Sequence, residues 1–366
     1  MTANNEGVIN TDDAVLSWAA DDFGHIVHTR PRGVLRPRTV GEIKDALATG
    51  VRLRPRGEGH STAGQAQISD GVVVDMRGLD TVNVTGTQVT AGAGARWSSV
   101  LAAALQAGLT PPVLTDYLEL SVGGTLSVGG IGGMTHRHGM QVDNVVSLDV
   151  LTPDGVLETC DSGAPLFDLV RGGYGGHGII VSATLRLVPA PSRVYRYKLP
   201  FSSLAPFMTA QRELMESRRF DYLEGMALPD GTFEISLATY STPALDLPLD
   251  EEVSYTEFAN RLVLEDMDKP HPWLNVFLPE AAVPGFVASI GDVGPTGTIL
   301  IYPFDTRLIT APAVALPSGE VAYLVAVLRT AQSPTSLTQM LAGNANLRQR
   351  TLDAGGCVYL DGSGTP

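Results

Sequence analysis

Glycine constrains this chain more than any other feature, because its 40 glycines are not spread evenly. Between residues 57 and 178 they arrive in clusters: Gly57-Glu-Gly59, Gly92-Ala-Gly94, Gly123-Gly124, Gly129-Gly130-Ile-Gly132-Gly133 and Gly172-Gly173-Tyr-Gly175-Gly176-His-Gly178. Beyond Gly178 they thin out. Each costs about 0.5–1 kcal/mol relative to alanine within regular structure, so their concentration needs a reason. Spacing alone leaves two readings open. One is tight turns in a strand-rich domain; the other is a backbone cradle whose N–H groups converge on the phosphates of a cofactor.

Strand-like runs lie between the clusters: Val72–Asp75, Thr81–Thr85, Val145–Leu151 and Ile179–Val188, rich in β-branched residues and punctuated by turns such as Pro153-Asp-Gly155. Two helices are predicted. Thr39–Leu47 carries a capping box, Thr39 with Glu42, and Trp97–Gln106 is closed by Gly108. Gly173-Tyr-Gly175-Gly-His-Gly178 fits the GxGxxG pattern, yet a strand follows it where a nicotinamide-binding fold needs a helix. After Pro189-Ala-Pro191 glycine falls while aromatic and long apolar residues rise, which places a boundary near residue 192. The expected division is residues 1–192 and 193–366. The second part mixes helices at Phe207–Ser217 and Tyr255–Leu264 with strands at Gly231–Ala238, Thr298–Tyr302 and Glu320–Leu328. Both parts are α+β.

Composition narrows the partner. A formal charge of −14 with no cluster of Lys and Arg argues against nucleic acid and anionic membranes, and leaves a small molecule. No apolar run approaches the roughly 18 residues of a membrane-spanning helix. Two cysteines, Cys160 and Cys357, make no disulfide framework. The opening residues Met1–Gly7 lack a basic and an apolar leader region, so the expected location is cytoplasmic, and Asp361–Pro366 reads as a frayed tail. His136 and His138 are two apart with no third ligand nearby, so no metal is expected.

Four motifs in order now carry a resemblance: Arg56-Gly-Glu-Gly-His60-Ser61, Gly71–Met76, Gly123-Gly-Thr-Leu126, and Arg171–Ile180 followed by Pro189-Ala-Pro191. Together they resemble the flavin-binding (PCMH-type) domain of the vanillyl-alcohol oxidase superfamily. Thr115–Leu118, Arg137-His-Gly139, Asp221-Tyr-Leu-Glu-Gly225 and His271-Pro-Trp-Leu-Asn275 are similar to signatures of cytokinin dehydrogenases. The likeness runs from about Asp22 to Leu328. It implies a two-domain flavoprotein with a shortened substrate domain, the stretch between Gly225 and His271 being brief. A family segment that follows Leu360 and helps close over the flavin has no counterpart, so a less tightly held flavin is expected.

The resemblance implies FAD, bonded covalently through His60, an attachment expected to raise the flavin's reduction potential. Arg56, Gly57, Glu58, Gly59, Ser61 and Gln65 would hold the pyrophosphate side. Asp116, Tyr117, Gly123, Gly124, Thr125, Ser127 and Gly130 would continue the cradle, with Gly178, Ile179 and Ile180 on the adenine side. Asp116 sits in the apolar run Pro111–Leu118, which would raise its pKa, and it would take a proton from the substrate amine as hydride leaves for the flavin. Its alternative is a helix N-cap. Trp273, Asn275 and Tyr302 would line the substrate pocket. The implied reaction turns a secondary allylic amine, such as N6-isopentenyl adenine, into an imine that water cleaves. Another amine or alcohol as substrate, or flavin binding without turnover, are the competing expectations.

Overall fold

Glycine-punctuated β-branched runs assemble into the first layers of this computed structural model, which describes residues 9–240, 242–291 and 297–359. The leader and tail readings at Met1–Gly7 and Asp361–Pro366 lie outside the described residues. Gly33–Leu35, Val72–Asp75 and Leu53–Arg56 form a small parallel sheet, with helix Val40–Ala48 crossing between its outer strands. That helix starts where the sequence says: Thr39 accepts from the Glu42 amide, and Glu42 accepts in return. Five antiparallel strands follow in the order Val82–Thr85, Gln88–Gly92, Ile179–Arg186, Val145–Leu151, Leu157–Asp161. Helix Trp97–Gln106 buries Trp97, Val100, Leu101 and Ala104, joining one core with this sheet.

From Arg193 every strand belongs to one eight-stranded antiparallel sheet, ordered Glu251–Ser254, Arg193–Phe201, Phe233–Thr239, Tyr222–Ala227, Thr298–Asp305, Val321–Leu328, Leu274–Pro279, Cys357–Tyr359. Its two faces are both covered, which explains central strands that are apolar throughout. In Val321–Leu328 the odd positions Val321, Tyr323, Val325 and Val327 face the helices Leu204–Ser217, Val283–Ile290 and Pro334–Asp353. The even positions Ala322, Leu324 and Ala326 join the core of the first domain. Full burial of each larger side chain contributes about 1.5–3 kcal/mol. The same alternation sends Tyr222, Tyr302 and Phe277 toward the first domain, and Leu223, Ile301 and Val276 away from it.

Two readings are corrected. The helix expected at Tyr255–Leu264 ends at Ala259, with Asn260 as its C-cap. The strand expected to run to Val188 stops at Arg186, and Val188–Pro189 pairs instead with Leu109–Thr110. Among the described residues no helix is long and apolar enough to cross a membrane.

Candidate active site

The loop after Leu53–Arg56 must turn tightly, and Gly59 does so at φ +73°, a conformation that strains other residues. A Cβ on Gly57 would lie 1.8 Å from Ser121 Oγ, so the loop is seated against the start of the short helix Val122–Leu126. Gly57, Gly123 and Gly124 are thereby brought together, and Ser121, which sequence reasoning did not single out, stands between them. Ser61 donates to Asp22 at 2.9 Å, and Gln65 Oε1 accepts from the Ala63 amide. Glu58 pairs with Arg96, which also reaches Glu119 at 3.0 Å. Arg56 is buried, lies 4.5 Å above the Trp18 ring and donates to the Asp21 carbonyl.

His60 stands in an aromatic stack. Phe23 lies parallel to it at 4.0 Å, His271 covers the other face of Phe23 at 4.1 Å, and Tyr117 is 5.2 Å from His60. Trp273 meets Phe23 edge-on at 4.8 Å. Backbone bonds fix this arrangement: Phe23 donates to the Gly59 carbonyl, and His271 to the Gly24 carbonyl. His60 Nε2 is buried without a hydrogen-bond partner, and burial pushes the imidazole down to about 4. A cavity of about 390 Å³ opens here, bounded by Trp18, Arg56, Glu58, Arg96, Tyr117 and Glu119.

Residues 111–121 carry no helix, so Asp116 caps nothing. Nor are its spatial neighbours those of its sequence: the apolar setting is corrected by Arg261, whose Nη2 donates to Asp116 Oδ1. Tyr222 Oη lies 2.9 Å from the same oxygen, 2.5 Å from Glu224 Oε2 and 2.7 Å from Arg261 Nη2. Glu224 is buried, and burial, with the Asp116 charge second, pushes its carboxyl up to about 8. Tyr302, also buried, faces the group from the neighbouring strand. Asn275 is half-buried on the same face of the sheet, two residues from Phe277.

Two motifs distant in sequence meet behind this group. Arg137 donates to Asp221 at 2.5 Å, and the ring nitrogens of His136 face the carbonyls of Gly133 and Phe220. Gly133 gives the Tyr222 ring its space, since a Cβ there would come within 2.2 Å of it. Gly133→Ala is therefore expected to cost about 1–3 kcal/mol by overpacking. Thermal melting should drop by several degrees, and a melt equal to wild type would refute the packing.

Glu224 predicts a pH dependence. Between its ordinary 4.5 and about 8 the unfolded chain gives up a proton that the folded protein keeps, so stability is lost as pH rises through that window. Glu224→Gln removes the penalty, on the order of a few kcal/mol. Its melting temperature relative to wild type should rise from pH 5 to pH 8.5, as paired melts would show; a constant difference would refute the buried neutral carboxyl.

Among the remaining candidates, Thr125 lies on the same short helix as Gly123 and Gly124, and Ser127 is its C-cap. Thr125 Oγ1 is committed to the core, accepting from Trp97 Nε1 at 2.8 Å, so its side chain does not point into the cradle. Ser127 Oγ donates to the Gly123 carbonyl at 2.7 Å. The Gly130 amide donates to Tyr359 Oη at 3.1 Å, tying the last described strand to the first domain. Gly178 opens the strand in which Ile179 and Ile180 pair with Leu151 and Val150. The buried His60 nitrogen without a partner and the close approach of Gly57 and Gly124 to Ser121 suit a flat cofactor carrying a pyrophosphate.

Comparisons agree with that geometry. Residues 31–161 match the FAD binding domain family, and residues 244–356 match the family described as cytokinin dehydrogenase 1, FAD and cytokinin binding. An uncharacterised oxidoreductase of the fasciation locus of Rhodococcoides fascians is 41% identical, over 96% of this chain and 89% of that protein. Cytokinin dehydrogenase 10 of Oryza sativa subsp. japonica is 35% identical, over 88% of this chain and 74% of its own length. Cytokinin dehydrogenase 3 of Arabidopsis thaliana is 31% identical, over 90% and 78%.

Proposed function

Because the chain belongs to the cytokinin dehydrogenase family of FAD-dependent oxidoreductases, we propose that it oxidises a secondary allylic amine of the cytokinin type, such as N6-isopentenyl adenine. The product imine is hydrolysed to adenine and an aldehyde. FAD supplies the two-electron, hydride-accepting chemistry. The chain's residues must then bind the amine, orient it and take its N–H proton, because a C–N bond becomes C=N only when hydride and proton both leave.

One observation carries the reading: Asp116 is a carboxylate held in place by two donors, Tyr222 and Arg261, and the residue that follows it, Tyr117, packs near His60. A base must reach the proton before its pKa matters, and a fixed oxygen meets that demand. Trp273 and Tyr302 supply apolar walls and Asn275 an amide for a planar heterocycle. For the cofactor, residues 57–61 and 121–124 would hold the pyrophosphate and Ile179 and Ile180 the adenine. His60, with a buried unpartnered nitrogen, would bond the flavin. Two free thiols suit a reducing compartment, and the cytoplasm is the proposed location.

The test is anaerobic. Isopentenyl adenine added to the flavin-loaded protein should bleach its visible absorption within the mixing time or shortly after. Bleaching by simple alcohols or unrelated amines, with none by isopentenyl adenine, would overturn the substrate class and keep the oxidoreductase.

A further inference from the structure

Tyr222 Oη is in contact with three groups and has a single hydrogen. Arg261 Nη2 is a donor only, so one tyrosine lone pair is taken, leaving one hydrogen and one lone pair for Asp116 and Glu224. The hydroxyl can donate to just one of the two carboxyl groups, and the other must donate to it. The network is satisfied with a proton on Glu224 or with a proton on Asp116, and Tyr222 does not distinguish them.

Arg261 does. Its guanidinium is paired with Asp116, and among the described residues no other cation lies within ion-pair distance of either carboxyl group. Nη1 donates to the Phe258 carbonyl at 2.9 Å, and the plane lies over the rings of Phe258 and Tyr222 at 4.3 and 4.9 Å, which fixes its direction. We propose that Arg261 is the positioning residue that makes Asp116, and not Glu224, the charged carboxylate of the pair. This rests on the reading of Asp116 as the base and explains why a site with two adjacent carboxyl groups has one proton acceptor ready. The other titratable groups around Asp116 and Arg261 are Tyr240 after strand Phe233–Thr239, Tyr255 at the start of helix Tyr255–Ala259 and Tyr302 on Thr298–Asp305, all held neutral by burial. None of the three supplies a charge.

The test follows flavin reduction in the FAD-loaded protein against pH, by anaerobic rapid mixing with isopentenyl adenine. In Arg261→Met the acid limb should move up by about one pH unit or more, since an opposite charge at this range shifts a carboxyl by that much. The rate near neutrality should fall by about ten-fold or more. Arg261→Lys, which restores a point charge, should recover part of both. If Met is not tolerated, Arg261→Gln is the neutral replacement of similar reach. An acid limb at the wild-type position in a neutral variant would overturn the proposal. A second readout needs no change at Arg261: on the acid side of neutrality the protonated-carboxyl stretch in infrared difference spectra should vanish in Glu224→Gln and persist in Asp116→Asn, and the reverse would overturn it. Failure of the base reading is separate, shown by full reduction rates in Asp116→Asn.

Discussion

Asp116→Asn is expected to slow anaerobic flavin reduction by isopentenyl adenine by about 10²–10⁴-fold, the usual contribution of a positioned general base. The asparagine oxygen still accepts from Tyr222 and Arg261, so the two contacts that shape the site survive. Flavin content and melting temperature should therefore change little beside the rate. What the amide cannot do is accept the substrate proton. The loss will not be total. The Asp116 charge is one reason Glu224 stays protonated, so its removal lets Glu224 ionise more readily, leaving a weak base one tyrosine away. The residual rate should accordingly rise toward alkaline pH, and Asp116→Asn with Glu224→Gln should be slower than either alone. A single variant that reduces its flavin at the wild-type rate would remove Asp116 from the chemistry.

The parts of the molecule that were readable in advance are those fixed by local rules. Thr39 and Glu42 announce a helix start because both capping bonds are made within four residues. Val72–Asp75 and Val145–Leu151 are strands because β-branched side chains fit a pleated surface wherever turns bound them. The long helix Pro334–Asp353 is not legible in the sequence although Ser333 caps it and Pro334 occupies its first turn; glycine and asparagine inside it mask the apolar stripe. What no window of sequence contains is the meeting of Asp116 with Arg261, separated by 145 residues, or of Phe23 with His60 and His271. The sequence pattern places Arg261 inside a helix. The helix stops two residues earlier, and the chain then carries the guanidinium to a carboxylate in the other domain, a long-range gain that local propensity cannot encode. His60 and Asp116 were visible only because a motif surrounds each, whereas Tyr222 and Glu224 had a motif and no stated role.

His60→Ala is expected to abolish retention of flavin through acid precipitation. Wild-type protein should give a yellow pellet and an intact mass raised by one FAD, while the variant should give a colourless pellet and the bare chain mass. An available lone pair is the first requirement. An imidazole nitrogen bonds carbon only when it is neutral and unoccupied; burial holds His60 neutral down to about pH 4, and Nε2 has no competing partner. Orientation comes next. Phe23 stacks on the ring at 4.0 Å and is itself braced by His271, so little rotational freedom has to be lost when the bond forms. A stability readout checks the same environment without flavin. The unfolded chain takes a proton on His60 from pH 6.5 downward that the folded protein refuses until about 4, so stability falls as pH falls through that window. His60→Ala removes this loss, and its melting temperature relative to the flavin-free wild type should rise from pH 7 to pH 4.5. If the wild-type pellet is colourless while the acid-melting difference appears as stated, the histidine is buried and neutral but unbonded, and the flavin is held by the loop backbone alone.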